Sequence, residues 1–98
     1  MQKTLTIHRY YDPGHSWFKV PLGRIKALGL IDKFSSYSYL GNAYAFLEED
    51  CDYDVFEKAL IASGVQPKIV EHKSNKQSKI RGYATYNPEK VHWICKVV

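Results

Sequence analysis

Within YYDPGHSWFKV (residues 10–20) the histidine His15 follows the carboxylate Asp12 by three residues, with Tyr10 before the pair and Trp17 after it. An imidazole positioned by a carboxylate is a minimal apparatus for acid–base work, because histidine titrates near neutral pH. The same spacing also suits a plainer role, since polar side chains on rigid turns are common contact points. A second concentration is the acidic run EEDCDYD (residues 48–54), with Asp50, Asp52 and Asp54 at alternate positions. A calcium-binding EF-hand loop starts that way but needs Gly at its sixth position and Glu at its twelfth. Val55 and Ile61 stand there instead, so capping of the following helix is the simpler account of these acids. The histidines His8, His15, His72 and His92 and the cysteines Cys51 and Cys95 fall in no zinc-type spacing. Neither a glycine-rich phosphate loop nor a Ser-His-Asp or Cys-His pairing is legible. No catalytic residue, metal ligand or cofactor is therefore assigned.

Eight tyrosines accompany two tryptophans. Tyrosine joins rigid apolar area to a polar handle, the composition of surfaces that bind proteins or stacked bases, although packing under helices uses the same residues. The binding set expected on these grounds takes Tyr10, Tyr37 and Tyr39, the turn residues Asp12 and His15, and the acids Glu48, Glu49, Asp50 and Asp52. A separate nucleic-acid set lies in the last third. There Lys68, Lys73, Lys76, Lys79 and Arg81 would follow phosphates while Tyr83 or Tyr86 stacks on bases.

The elements that must position these residues follow from periodicity. Alternation predicts a strand over about residues 3–11, and Asp12-Pro13-Gly14 supplies a turn in which Gly14 is free to take positive φ. SWFKV is the return strand, with Trp17 large enough to anchor it in the core. Pro21 suits the first turn of a helix whose Leu22, Ile25, Leu28 and Ile31 recur at helical spacing, with Gly29 near its end. Gly41-Asn42 marks a hairpin. A second helix follows the acidic run, with Asp52 or Asp54 as N-cap, Asp54 and Glu57 at capping-box spacing, and Tyr53, Phe56, Ala59 and Leu60 on its apolar face. Gly64 ends it. PKIVEH is a further strand, residues 73–79 a basic flexible loop, and IRGYATY and VHWICKVV two last strands around the NPEK turn. The predicted order is ββα-ββα-βββ: one α+β domain over residues 1–98, an antiparallel sheet with two helices on one face.

The totals agree. Ninety-eight residues, 45% hydrophobic and 24% charged, suit one soluble domain with a single core. No apolar run approaches the roughly 20 residues that cross a bilayer. The opening MQKTLTIHRYY alternates like a strand and has no apolar signal-peptide core. A cytoplasmic protein with reduced thiols, at least one of them buried, is expected. The net charge of +4 divides into +4 for residues 1–47, −5 for residues 48–64 and +5 for residues 65–98, which suggests faces of opposite sign.

Three stretches, HRYYDPGHSW, SYSYLGNAYAFLEEDCD and IRGYATY, resemble a family of small uncharacterised proteins of bacteriophages and plasmids. The pattern of that family is His-x-Tyr-x-Asp-Pro-Gly-His-x-Trp, then Ser-x-Tyr-Ser-Tyr, then a Tyr-Leu-Glu-Glu-Asp-type run. His8, Tyr10, Asp12, Pro13, Gly14, His15 and Trp17 match its first part here, Ser36 to Tyr39 its middle, and Glu48 to Asp50 its end. YAFLEED stands where a shorter YLEED is the family form. The likeness extends to about Tyr86, leaving residues 87–98 as a C-terminal strand extension. ALGLID (residues 27–32) also resembles part of the helix of LAGLIDADG homing endonucleases, with Asp32 near the metal-holding position, but the chain holds no second copy of it.

The phage-and-plasmid resemblance implies a source rather than an activity. Accessory proteins from such sources often block host machinery. The expectation is a non-enzymatic inhibitor of host defence, of anti-CRISPR or anti-restriction type, binding a host protein or nucleoprotein complex. Direct nucleic-acid binding through the basic last third is the alternative, and a small enzyme using His15 and Asp12 the third. No membrane partner is expected.

Overall fold

A computed structural model describes residues 3–96; Met1, Gln2, Val97 and Val98, the last two assigned above to the final strand, lie outside the described residues. Strand β1 (Lys3–Tyr11) turns back at Asp12-Pro13-Gly14 into β2 (Ser16–Pro21), and helix α1 (Leu22–Ala27) starts at once after Pro21. A 3-10 turn at Ile31–Lys33 leads to β3 (Tyr39–Leu40) and β4 (Tyr44–Glu48), joined through Gly41-Asn42. Helix α2 (Tyr53–Ala62) and β5 (Val65–His72) come next. A second 3-10 turn (Lys79–Gly82), the short β6 (Ala84–Thr85) and helix α3 (Pro88–Lys96) complete the chain. Gly29 (φ 72°) and Gly64 (φ 91°) close the first two helices in the left-handed region that favours glycine.

The six strands form one sheet in the order β5-β1-β2-β4-β3-β6. The α+β class is as expected, with two differences of detail. First, the sheet is mixed: β5 pairs with β1 in parallel, Ile7 opposite Ile69 and Tyr10 opposite His72. Parallel neighbours need a crossover, and α2 provides it by carrying the chain from β4 past β2 and β1 to the far edge. Pro67, which has no N–H to give, is tolerated on that edge. Second, residues 88–96 are helix rather than strand. The Asn87 side chain accepts the Glu89 N–H at 3.0 Å, Pro88 occupies the first helical position, and Val91, Ile94 and Cys95 turn to the core while Trp93 is 65% exposed. IRGYATY is likewise not a continuous strand: Ile80, Arg81 and Gly82 belong to the 3-10 turn, and only Ala84 and Thr85 join the sheet.

Three helices, not two, thus cover one sheet face. Leu22 and Ile25 of α1, Phe56 and Leu60 of α2 and Val91 of α3 join Ile7, Phe18, Val20 and Leu47 of the strands in the main core. Tyr86 belongs there too; it is buried and its hydroxyl donates to the Ile31 carbonyl at 2.6 Å. On the opposite face Trp17, Phe46 and Ile80 make a small second cluster flanked by Tyr10, Tyr39 and Tyr83. Trp17 does anchor β2, but in this cluster. Neither thiol is fully buried: Cys51 is exposed and Cys95 half-buried. Among the described residues no helix is long and apolar enough to cross a membrane.

Candidate functional site

The sheet face away from the helices carries two concave regions, and the predicted residues divide between them. The first is a cleft of about 300 Å³ between the β1–β2 turn, the β3 approach and the end of β4. His15, Tyr37, Tyr39, Glu48 and Asp50 of the expected binding set meet there, beside Trp17 and Arg81. The placement of His15 beside the acidic run follows from register, since Trp17 of β2 stands opposite Glu48 of β4. His15 Nδ1 lies 3.6 Å from Glu48 Oε1. The other oxygen of Glu48 accepts the backbone N–H groups of Asp50 at 3.0 Å and Cys51 at 2.8 Å. Glu48 is buried, whereas His15, Tyr37 and Asp50 are exposed.

The remaining carboxylates of that set hold the fold together, while Tyr10 lies in the second region. Asp12 does not orient the His15 ring. Its Oδ1 accepts the backbone N–H groups of Gly14 and His15, each at 3.1 Å, so the turn closes on the carboxylate and Gly14 needs no positive φ. Arg81 and the Ser78 N–H take up the rest of that carboxylate. The Arg81 contact, reinforced by these backbone donors, holds the Asp12 pKa far below the usual carboxylate range, and the same pairing raises that of Arg81.

Asp52 and Glu49 are equally committed. Asp52 stands at the N-cap of α2 yet does not cap it. It accepts the Ser35 N–H and hydroxyl and the Ser38 hydroxyl, and Ser38 Oγ in turn accepts the Glu48 N–H at 2.9 Å. Asp54 pairs with Lys58, and Glu57 accepts from the Tyr53 hydroxyl, so no capping box forms. Glu49 accepts from Arg9 and from buried Ser16, which also accepts from Arg9. The acidic run therefore presents Asp50 outward while three neighbours are tied inward. Arg9, Ser16, Ser35 and Ser38 carry these locks. Residue types alone did not single them out, because their partners are remote in sequence.

The second region is a groove across the middle of the sheet. It comprises two adjoining hollows of about 210 and 530 Å³ that share Lys19, Phe46 and Tyr83. Tyr10 and Lys79 line one end, Tyr44 and Lys90 the other, and no carboxylate among the described residues lines either hollow. Lys19 Nζ stands 4.3 Å from the Tyr44 ring centre, and Tyr10 stacks on His72 at 4.7 Å. Of the nucleic-acid set, Lys79 and Tyr83 sit in this groove. Lys68 lies exposed on edge strand β5, and Lys73 and Lys76 project from the loop after it. Arg81 is paired with Asp12 and Tyr86 is in the core, so neither is available as expected.

The one thiol of the cleft is poorly placed for nucleophilic work. That thiol is Cys51, but the Glu48 carboxylate beside it raises its pKa, and Asp52 and Asp50 act the same way. A thiol so placed carries little thiolate at neutral pH. Compared with protein-family models, with curated proteins and with solved structures, the chain matches none.

Proposed function

We propose that the protein is a non-enzymatic binding protein that holds a single-stranded nucleic-acid segment across the open face of its sheet. The observation that carries this reading is the groove lining: Lys19, Lys79 and Lys90 stand among Tyr10, Phe46, Tyr44 and Tyr83, with no carboxylate among these lining residues. Single strands are bound by this combination, ammonium groups along the backbone and aromatic faces under the bases. The surrounding chain supports it, because Glu49, Asp12 and Asp52 are held by Arg9, Arg81 and the serines of the β3 approach, and the exposed Asp50 lines the cleft rather than the groove. Fluorescence anisotropy with short single-stranded DNA and RNA oligonucleotides tests it. Affinity that falls steeply with salt is expected, and no binding at low salt removes the reading.

A second reading is stoichiometric inhibition of a host defence protein by a product of a mobile element. It is favoured by the resemblance to phage and plasmid proteins and by Tyr37, 69% exposed at the rim of the cleft. Capture of a defined host effector that Tyr37→Ala loses, with oligonucleotide affinity unchanged, separates it from the first.

A further inference from the structure

The His15 cleft is separate from the groove, and a ligand bound there needs no nucleic acid on the sheet. His15, Glu48 and Asp50 each offer one ligand atom, all within 4.8 Å of one another. The geometry points to a binding site for a divalent first-row transition ion at these three side chains, with at least one coordination position left open.

The His15–Glu48 edge fits metrically, and Asp50, whose ligand oxygen lies within 4.8 Å of the other two, reaches the same ion by a turn of its exposed side chain. Ligand atoms about 2.0–2.2 Å from a tetrahedral Zn²⁺ lie roughly 3.4 Å from one another. The His15 Nδ1 to Glu48 Oε1 separation of 3.6 Å is close to that edge and too long for a good hydrogen bond. Glu48 is held as ligating carboxylates are, one oxygen fixed by the Asp50 and Cys51 N–H groups. Its Oε1 is the oxygen turned toward His15, and it is open to the cleft rather than sealed in the core. His15 is set by its backbone N–H to Asp12, and Asp50 by its N–H to Glu48. A neutral imidazole with two carboxylates balances a 2+ charge. The imidazole favours zinc-like ions over magnesium or calcium, which prefer all-oxygen shells.

A second observation in the same wall points to a ligand. The indole Nε1 of Trp17 is buried without a hydrogen-bond partner among the described residues, and the ring lies 6.1 Å from that of His15. A buried donor of this kind is costly to leave unpaired. An ion held beside Trp17 places its bound water or anion against the wall that carries this donor, so the indole reports its arrival.

Calorimetric titration of the purified chain with Zn²⁺ tests the site, alongside nitrogen–proton spectra in which the two indoles are resolved. One saturable equivalent is expected, with the Trp17 indole signal shifting and that of Trp93 staying in place. His15→Ala and Asp50→Asn change exposed residues and should keep the circular dichroism spectrum while weakening Zn²⁺ affinity at least about tenfold. Absence of saturation up to about 1 mM Zn²⁺ overturns the proposal. So does binding that survives both variants but disappears in the His8→Ala/His72→Ala double variant. Those two rings are 2.9 Å apart at their nearest nitrogens and would then be the ion's true ligands.

Discussion

Arg81 grips the carboxylate of Asp12 with two bonds, Nε–H to Oδ2 at 2.6 Å and a terminal N–H to Oδ1 at 3.1 Å. The contact ties the segment after β5 to the β1–β2 turn and lays the guanidinium 5.2 Å from the Trp17 ring centre. Arg81→Ala leaves a buried carboxylate facing only backbone donors. A loss of about 2–3 kcal/mol in urea unfolding is expected, the scale of charge-assisted bonds to a buried group. Unchanged stability would show that the turn is closed by the backbone alone.

The pH dependence of that pair has a definite sign. Asp12 binds its proton less readily in the folded chain than unfolded, where a carboxyl titrates near about 3.9. Its contribution is therefore fully present above about pH 4 and is lost as pH falls toward the depressed folded value. Wild type and Asp12→Asn should differ in stability at about pH 7 and converge in strong acid. A difference that widens as pH falls would contradict the assignment.

Trp17 and His15 lie two residues apart in one wall but have separable roles. Trp17→Ala empties the small cluster against Phe46 and Ile80 and should cost about 3–5 kcal/mol. His15→Ala, at an exposed turn position whose hydrogen bond to Asp12 is made by the backbone N–H, should leave the melting temperature nearly unchanged. If His15→Ala unfolds the domain, the side chain is structural.

Much of this architecture is legible in the residue pattern because it is local. The β1–β2 hairpin, the Gly41-Asn42 turn and the apolar face of α2 follow from alternation, turn chemistry and helical spacing within a few residues. Helix α3 misled for a physical reason. Val91, Trp93 and Cys95 alternate as in a strand, while Val91, Ile94 and Cys95 fit a helical face equally well, and a short apolar run does not separate the two periods. The deciding signal was Asn87-Pro88-Glu89, a cap, a first-turn proline and a first-turn acid. The parallel β1–β5 pairing and the Arg81–Asp12 bond join distant segments, which periodicity does not report. The site was legible in part: His15, Glu48 and Asp50 were identifiable by type, but their convergence depends on the β2–β4 register. Asp12, Glu49 and Asp52 were identifiable as carboxylates, yet only their partners from distant segments reveal that they are structural.

The assignment of α3 makes its own prediction. Val91 is fully buried and Trp93 is 65% exposed, so Val91→Ala should destabilise by about 1–3 kcal/mol while Trp93→Ala costs under about 0.5 kcal/mol. A strand with Trp93 in the core would give the reverse order in denaturant melts.

The last prediction concerns the groove. Lys19, Lys79 and Lys90 are its cations, and each phosphate neutralised on a single strand contributes about −0.7 to the slope of log affinity against log salt. Three contacts give a slope of roughly −2, and Lys19→Ala or Lys79→Ala should each flatten it by about 0.7 while weakening binding to all sequences alike. Tyr83→Ala should act differently, removing a stacking face worth about 1–3 kcal/mol without altering the slope. Tyr83 also packs against the Phe46 ring at 5.3 Å, so its variant is compared at a temperature well below its own melting point. The lysine and tyrosine effects must separate in this way for the groove to bind as proposed. A slope unchanged by both lysine variants would place the contacts instead on Lys68, Lys73 and Lys76, along the β5 edge and its loop, and would leave the aromatic groove without a ligand.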